Sequence, residues 1–96
     1  MRRENILHCL NQDQNVLKEY GVQSLSLFGS VARGEEKEAS DVDILVRFDQ
    51  PLGLFAFMEL KDHLEELLHA HVDLVTEAAL HPRLRSRILK ESIHVL

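Results

Sequence analysis

Apolar and polar positions alternate along this chain in two rhythms, and the changes of rhythm mark its elements. Residues 3–20 carry Leu7, Leu10, Leu17 and Tyr20 on one stripe at helical spacing, with Gly21 as a stop signal, so a helix is expected there. The polar run Asn11 to Asn15 interrupts that stripe. Residues 23–28 switch to a period of two: Leu25 and Leu27 point one way, Ser24, Ser26 and Phe28 the other, which predicts a strand ended by Gly29. Ser30 is placed to cap a short helix, Val31 to Gly34, and the polar stretch Gly34 to Ser40 reads as a mobile, solvated loop. The clearest strand is residues 41–48, with Val42, Ile44, Val46 and Phe48 on one face and Asp41, Asp43, Leu45 and Arg47 on the other. After a turn at Asp49 to Gly53, Phe57, Leu60, Leu64, Leu67 and Leu68 form the apolar stripe of a long helix over residues 54–70. Residues 71–76 form a third strand, with Asp73 opposite Val72 and Leu74.

The last helix starts at Pro82, a favoured first helical residue, and runs to about Ser92. Leu80, Leu84 and Ile88 make its apolar stripe, and Arg83, Arg85, Arg87 and Lys90 lie mostly outside it. The tail His94-Val95-Leu96 is expected to pack back on the sheet. Helix, strand, short helix, strand, long helix, strand, helix describes a mixed α/β (α+β) fold, a small mixed sheet flanked by helices.

Composition narrows the functions. A chain of 96 residues, 45% hydrophobic and 28% charged, is one ordinary globular domain. With a formal net charge of −5, direct nucleic-acid binding is not expected, because that relies on cations meeting phosphates. Only five aromatic residues and no Trp leave little for stacking recognition. The single cysteine, Cys9, has no internal disulfide partner and reads as a small residue in an apolar run. The start, MRRENILHCLNQDQ, lacks the apolar stretch of a signal peptide, and no apolar run approaches the ~20 residues of a membrane span, so a soluble cytoplasmic protein is expected.

The chemistry concentrates in LFGSVARGEEKEASDVD, residues 27–43. Gly29-Ser30 suits a turn offering backbone N–H groups to a phosphate: glycine permits close approach and the Ser30 hydroxyl adds a donor. Ten residues later Asp41 and Asp43 stand one residue apart and project together from one end of a strand. Asp73 lies near the start of another strand. If the strands are neighbours, three carboxylates converge, and their mutual repulsion is relieved by a cation such as Mg²⁺, which takes oxygen ligands and shares its shell with substrate phosphates. Taken alone, a D-x-D merely caps a turn and Gly-Ser is a common bend; the spacing between them gives both their value.

Other candidates carry a plainer reading beside the chemical one. Arg33, three residues past the turn, either reaches a triphosphate or pairs with Glu35 or Glu36. Arg47 is expected in a salt bridge, and Arg83, Arg85, Arg87 and Lys90 on a solvated helix face. His69 and His71 straddle a turn and are not expected to bind zinc.

Gly-Ser, ten residues, D-x-D and a later strand aspartate together resemble the nucleotidyltransferase superfamily typified by DNA polymerase β. The stretch GSVARGEEKEASDVDILV, with the later VDLVTEAALHPRLRSRIL, is similar to its minimal nucleotidyltransferases, which consist of little beyond the catalytic domain. The resemblance covers about residues 22–92, a catalytic core preceded by an N-terminal helix within 1–21, and implies a polymerase β-like fold. It further implies that Asp41, Asp43 and Asp73 are catalytic and bind one or two Mg²⁺ ions, and that Gly29 and Ser30, with Arg33 nearby, hold the phosphates of ATP. The implied reaction is attack of a hydroxyl on the α-phosphate with release of pyrophosphate. Minimal members commonly serve as the antitoxin of a HEPN-domain toxin, transferring AMP to one of its tyrosines. Two alternatives stay open: an antitoxin that neutralises its toxin by binding alone, and transfer to a small molecule, for which a homodimer would have to supply the acceptor pocket; the oligomeric state, homo- or hetero-oligomer, is left open by the sequence.

Overall fold

The computed structural model describes residues 3–35 and 41–96. Its helices are α1 (Arg3–Gln12), α2 (Gln14–Glu19), α3 (Gly29–Ala32), α4 (Leu54–Leu68) and α5 (Pro82–Glu91). Its strands are β1 (Val22–Phe28), β2 (Val42–Phe48), β3 (Val72–Thr76) and β4 (Ile93–His94), and a 3₁₀ turn, Glu77–Ala79, follows β3. The sheet order is β3-β2-β1-β4, with β2 and β3 parallel and the other two pairings antiparallel. This is the expected mixed sheet flanked by helices, and the tail does return to it, as β4 beside β1. Among the described residues no helix is long and apolar enough to cross a membrane.

One face of the sheet carries the core. Leu25, Leu27, Ile44 and Val46 meet Ile6 and Leu10 of α1, Leu17 of α2, and Leu60, Leu64 and Leu68 of α4, all buried. A buried leucine or isoleucine contributes roughly 1.5–3 kcal/mol relative to exposure, so this face holds the fold together.

The structure departs from the sequence expectation in definite places. The helix expected over 3–20 is two helices, broken at Asp13 (φ −97°, ψ 6°) within the polar run. Asp13 leaves the helical path, and its Oδ2 lies 2.6 Å from His63 Nε2 on α4, a tertiary contact that competes with local helix formation. The buried position in the first helix is Ile6 rather than Leu7, which is half-buried. Ser30 does not cap α3: the helix begins at Gly29, Phe28 is the cap residue, and no side chain caps it. Helix α4 ends at Leu68, two residues early, because His69 turns left-handed (φ 52°). Helix α5 buries none of its side chains; Leu84 and Leu89 are exposed. Of the expected loop, residues 36–40 lie outside the described residues.

Candidate functional site

The parallel register of β2 and β3 aligns Asp43 with Asp73, and the antiparallel register of β1 and β2 aligns Phe28 with Asp43. Residues paired in register present side chains to the same face, so Asp43 and Asp73 emerge together on the face away from the core. Asp41, two residues before Asp43, points the same way from the mouth of β2. The two strand mouths are pinned. Val42 N–H donates to the His71 carbonyl at 2.9 Å, and Val72 N–H donates to Glu65 Oε2 at 3.0 Å. That second bond holds the Glu65 carboxyl below the usual range, with His71 and Lys61 adding smaller attractions.

Gly29 follows Phe28 directly and begins α3. Its φ is +74°, a conformation that side-chain-bearing residues rarely adopt. A Cβ built there would collide with Asp43 Oδ2 and sit 2.9 Å from Asp43 Cγ. Two independent constraints, backbone conformation and the neighbouring carboxyl, therefore require glycine. Helix α3 closes in a Schellman motif, with Gly34 N–H bonding the Val31 carbonyl at 3.0 Å and Glu35 N–H bonding the Ser30 carbonyl at 2.8 Å. Arg3 Nη1 also donates to the Ala32 carbonyl at 3.1 Å, tying the turn to α1.

Electrostatics follow from this crowding. Burial raises the Asp43 carboxyl to about 6, reinforced by the charges of Asp73 and Asp41 and by a hydrogen bond with Asp73; Arg33 opposes it. Among the described residues no three His, Cys, Asp or Glu side chains form a group ready to hold a metal ion unaided. The carboxylates thus meet as neighbours and not as a closed cage. Mg²⁺ does not need one, since it binds through one or two carboxylates with waters and substrate phosphates completing the shell.

Of the six residues expected in the site, Asp43 and Asp73 stand in register across β2 and β3, Gly29 at the start of α3 packs against the Asp43 carboxyl, Asp41 lies at the mouth of β2, and Ser30 follows Gly29 in α3. Arg33 is turned to the surface, with Nε 3.0 Å from Glu35 and Nη1 3.2 Å from Glu91. Pairing with Glu35 was one of its two expected roles; Glu91, fifty-eight residues away, could not be read from the sequence. Glu65 was missed as well, because nothing local marks a helix carboxylate as the acceptor for a strand amide seven residues on. A groove of about 820 Å³ lies at the opposite end of β2, lined by Phe48, Pro51, Leu54, Phe57, Thr76 and Glu77. The carboxylates lie apart from it, roughly 13 Å along the strand.

Residues 11–95 match the nucleotidyltransferase domain family. The protein adenylyltransferase MntA of Thermococcus cleftensis is 42% identical over 93 residues, 96% of this chain and 94% of that protein. A structure solved as a minimal nucleotidyltransferase superposes with a TM-score of 0.86 at 40% identity, covering 97% of this chain and 95% of that one. A toxin–antitoxin solved with AMP-PNP superposes with a TM-score of 0.76 at 27% identity, covering 91% of this chain and 72% of that one. By sequence match and by fold, this chain belongs to the nucleotidyltransferase domain family, as one of its minimal members.

Proposed function

We propose that this chain transfers AMP from ATP to a tyrosine hydroxyl of a HEPN-domain toxin and thereby acts as its antitoxin. The observation that carries the reading is the register of Asp43 opposite Asp73 with Gly29 packed against Asp43. The likeness to an adenylyltransferase named MntA and to a toxin–antitoxin solved with an ATP analogue supports the choice of nucleotide and partner.

In this reading the Gly29–Ser30 turn receives the phosphates of ATP, glycine allowing the close approach and Ser30 adding a donor. The acceptor oxygen attacks the α-phosphorus. A new O–P bond forms, the bond to the bridging α–β oxygen breaks, and pyrophosphate leaves with that electron pair. Asp73 lies beside the incoming hydroxyl, and its carboxylate takes up the proton. Asp41, Asp43 and Asp73 would hold Mg²⁺. The donor set fits: three hard oxygen groups, one of them held neutral up to about pH 6 by burial and by its acidic neighbours. When bound, Mg²⁺ supplies charge neutralisation for the phosphates and the departing pyrophosphate. Holding ATP and hydroxyl in line is the chain's main contribution to rate.

The test is transfer of α-labelled ATP to a purified HEPN-domain toxin with Mg²⁺ present. Label is expected on a toxin tyrosine, and Asp41→Ala is expected to abolish it. An unlabelled toxin at saturating ATP and Mg²⁺ overturns the transfer reading.

A further inference from the structure

Asp73 stands on an edge strand of the sheet. Across the sheet the order is the Gly29–Ser30 turn after β1, then Asp43 on β2, then Asp73 on β3, and there the sheet ends. The turn fills the β1 side. Among the described residues no strand flanks Asp73 beyond β3, so that edge is a route by which a macromolecular acceptor can reach it.

The backbone along that side has a defined pattern. His71 turns its carbonyl to β2, where Val42 N–H meets it at 2.9 Å. In a parallel ladder successive residues alternate direction, so Asp73 and Val75 also face β2, while Val72, Leu74 and Thr76 face outward. The outward N–H of Val72 is taken by Glu65. Among the described residues no strand pairs with the outer edge of β3, which leaves Leu74 and Thr76 as an open ladder. The edge carries no Pro, Lys or register irregularity, the usual means of discouraging a guest strand.

Resting on the proposed transfer reaction, we propose that the acceptor segment of the toxin docks on the outer edge of β3 as an added strand. Strands in a sheet lie about 4.8 Å apart, and residues side by side on one face have Cβ atoms about 5 Å apart. A guest paired through Leu74 thus sets alternate side chains on the face of Asp73, where a hydroxyl-bearing residue meets the carboxylate row. Glu65 ends the ladder and so fixes the guest's register relative to Asp73. With Asp41, Asp43 and Asp73 nearby and a net charge of −5, the edge favours a guest whose hydroxyl residue is flanked by cations.

The experiment is amide hydrogen exchange by NMR on the labelled chain, with and without the HEPN-domain toxin used in the transfer assay, in the absence of ATP. The amides of Leu74 and Thr76 are expected to slow at least tenfold, and those of Asp73 and Val75, already in the ladder, to change little. A second arm uses Thr76→Pro, which deletes one outward donor at a residue whose φ of −83° already suits proline. It is expected to weaken toxin binding about tenfold with ATP binding unchanged, while Thr76→Val binds as the parent does. A complex that leaves both outward amides unprotected, or no complex at all, overturns the docking mode. Protection without AMP transfer instead overturns the transfer reading and keeps the docking mode.

Discussion

The two ends of the β2–β3 ladder are built from the same pair of parallel strands and treat charge in opposite ways. At the N-terminal end Asp43 and Asp73 face each other in register with Asp41 close by, and the result is a carboxyl raised to about 6. At the C-terminal end Glu77 stands between Arg47 and Arg85, each 4.0 Å away, and the charges are matched. A sheet that neutralises charge at one end and concentrates like charge at the other has its repulsion localised where the proposed function places a cation and a triphosphate. The difference teaches that the acidic end is held together by the core beneath it, through Ile44, Val46 and Leu74 against α4, and not by its own electrostatics.

Replacing Asp43 attacks that contrast most directly. Asp43→Asn is expected to lower AMP transfer about a thousandfold or more, since in the proposed reading it removes one of the carboxylates that would hold Mg²⁺ against the phosphates. The same change is expected to stabilise the metal-free protein at neutral pH. Discounted for the carboxyl's partial exposure, the gain is about 1 kcal/mol, or a rise of about 4–8 °C in Tm for a domain this size. A variant that loses both activity and stability would show that the acidic end is structural and the contrast mistaken. Labelled transfer and thermal unfolding of one preparation decide it.

The Gly29–Asp43 contact is the next point of leverage. Gly29→Ala forces a left-handed φ on a residue with a Cβ and drives that Cβ into the Asp43 carboxyl. Backbone strain of this kind costs on the order of 1–3 kcal/mol. A displaced carboxylate is expected to lower transfer about a hundredfold, because a shift of about 1 Å in reacting geometry costs that much. Chemical denaturation and kcat for AMP transfer separate the two losses. Activity near the parent's in a folded Gly29→Ala protein would mean that turn and carboxylate do not act together.

These two residues also show what was legible in the chain. Gly29, Ser30, Asp41, Asp43 and Asp73 stood out because their spacing combines with the period of a strand, and alternation alone assigns a face. The registers that bring Asp73 beside Asp43 and Phe28 beside Asp43 are tertiary facts, set by loop lengths and core packing. Strand bounds came within one residue because apolar alternation is a strong local signal. The break at Asp13 was hidden, since it depends on His63 fifty residues away. Ser30 as a cap failed for a related reason: the strand runs straight into α3 at Gly29, leaving no separate cap position for the serine. Helix α5 shows the limit of periodicity, because an apolar stripe reports where a helix could pack and α5 packs little.

A titration sharpens the contrast without changing catalysis. The folded Asp43 carboxyl titrates near 6, above its ordinary 3.8, so the folded state holds that proton more tightly than the unfolded chain does. Its contribution to stability is fully present below about pH 4, falls as pH rises to about 6, and is absent above. The stability difference between Asp43→Asn and the parent is therefore expected to grow from pH 4 to 6 and then level off, by about 1 kcal/mol in all. Mg²⁺ with ATP is expected to shrink that difference at pH 7 by stabilising the parent alone. A difference that stays flat across this range would mean that Asp43 is not perturbed.

The smallest effect belongs to the other end of the ladder. Glu77→Gln removes one negative charge from between Arg47 and Arg85, whose side chains are 56% and 54% exposed. Both guanidinium groups remain hydrated after the loss, so no unpaired buried charge is created. Pairs as long and as open as these are worth about 0–1 kcal/mol, and added salt weakens them further. Glu77→Gln is expected to cost no more than about 0.5 kcal/mol in urea unfolding and to leave kcat for AMP transfer unchanged. The sign matters more than the size: removing a carboxylate here weakens the fold slightly, whereas removing Asp43 strengthens it. Should both substitutions move stability in the same direction, the two ends would not be electrostatic opposites, and the crowding of Asp43 and Asp73 would need an explanation other than the proposed cation and phosphates.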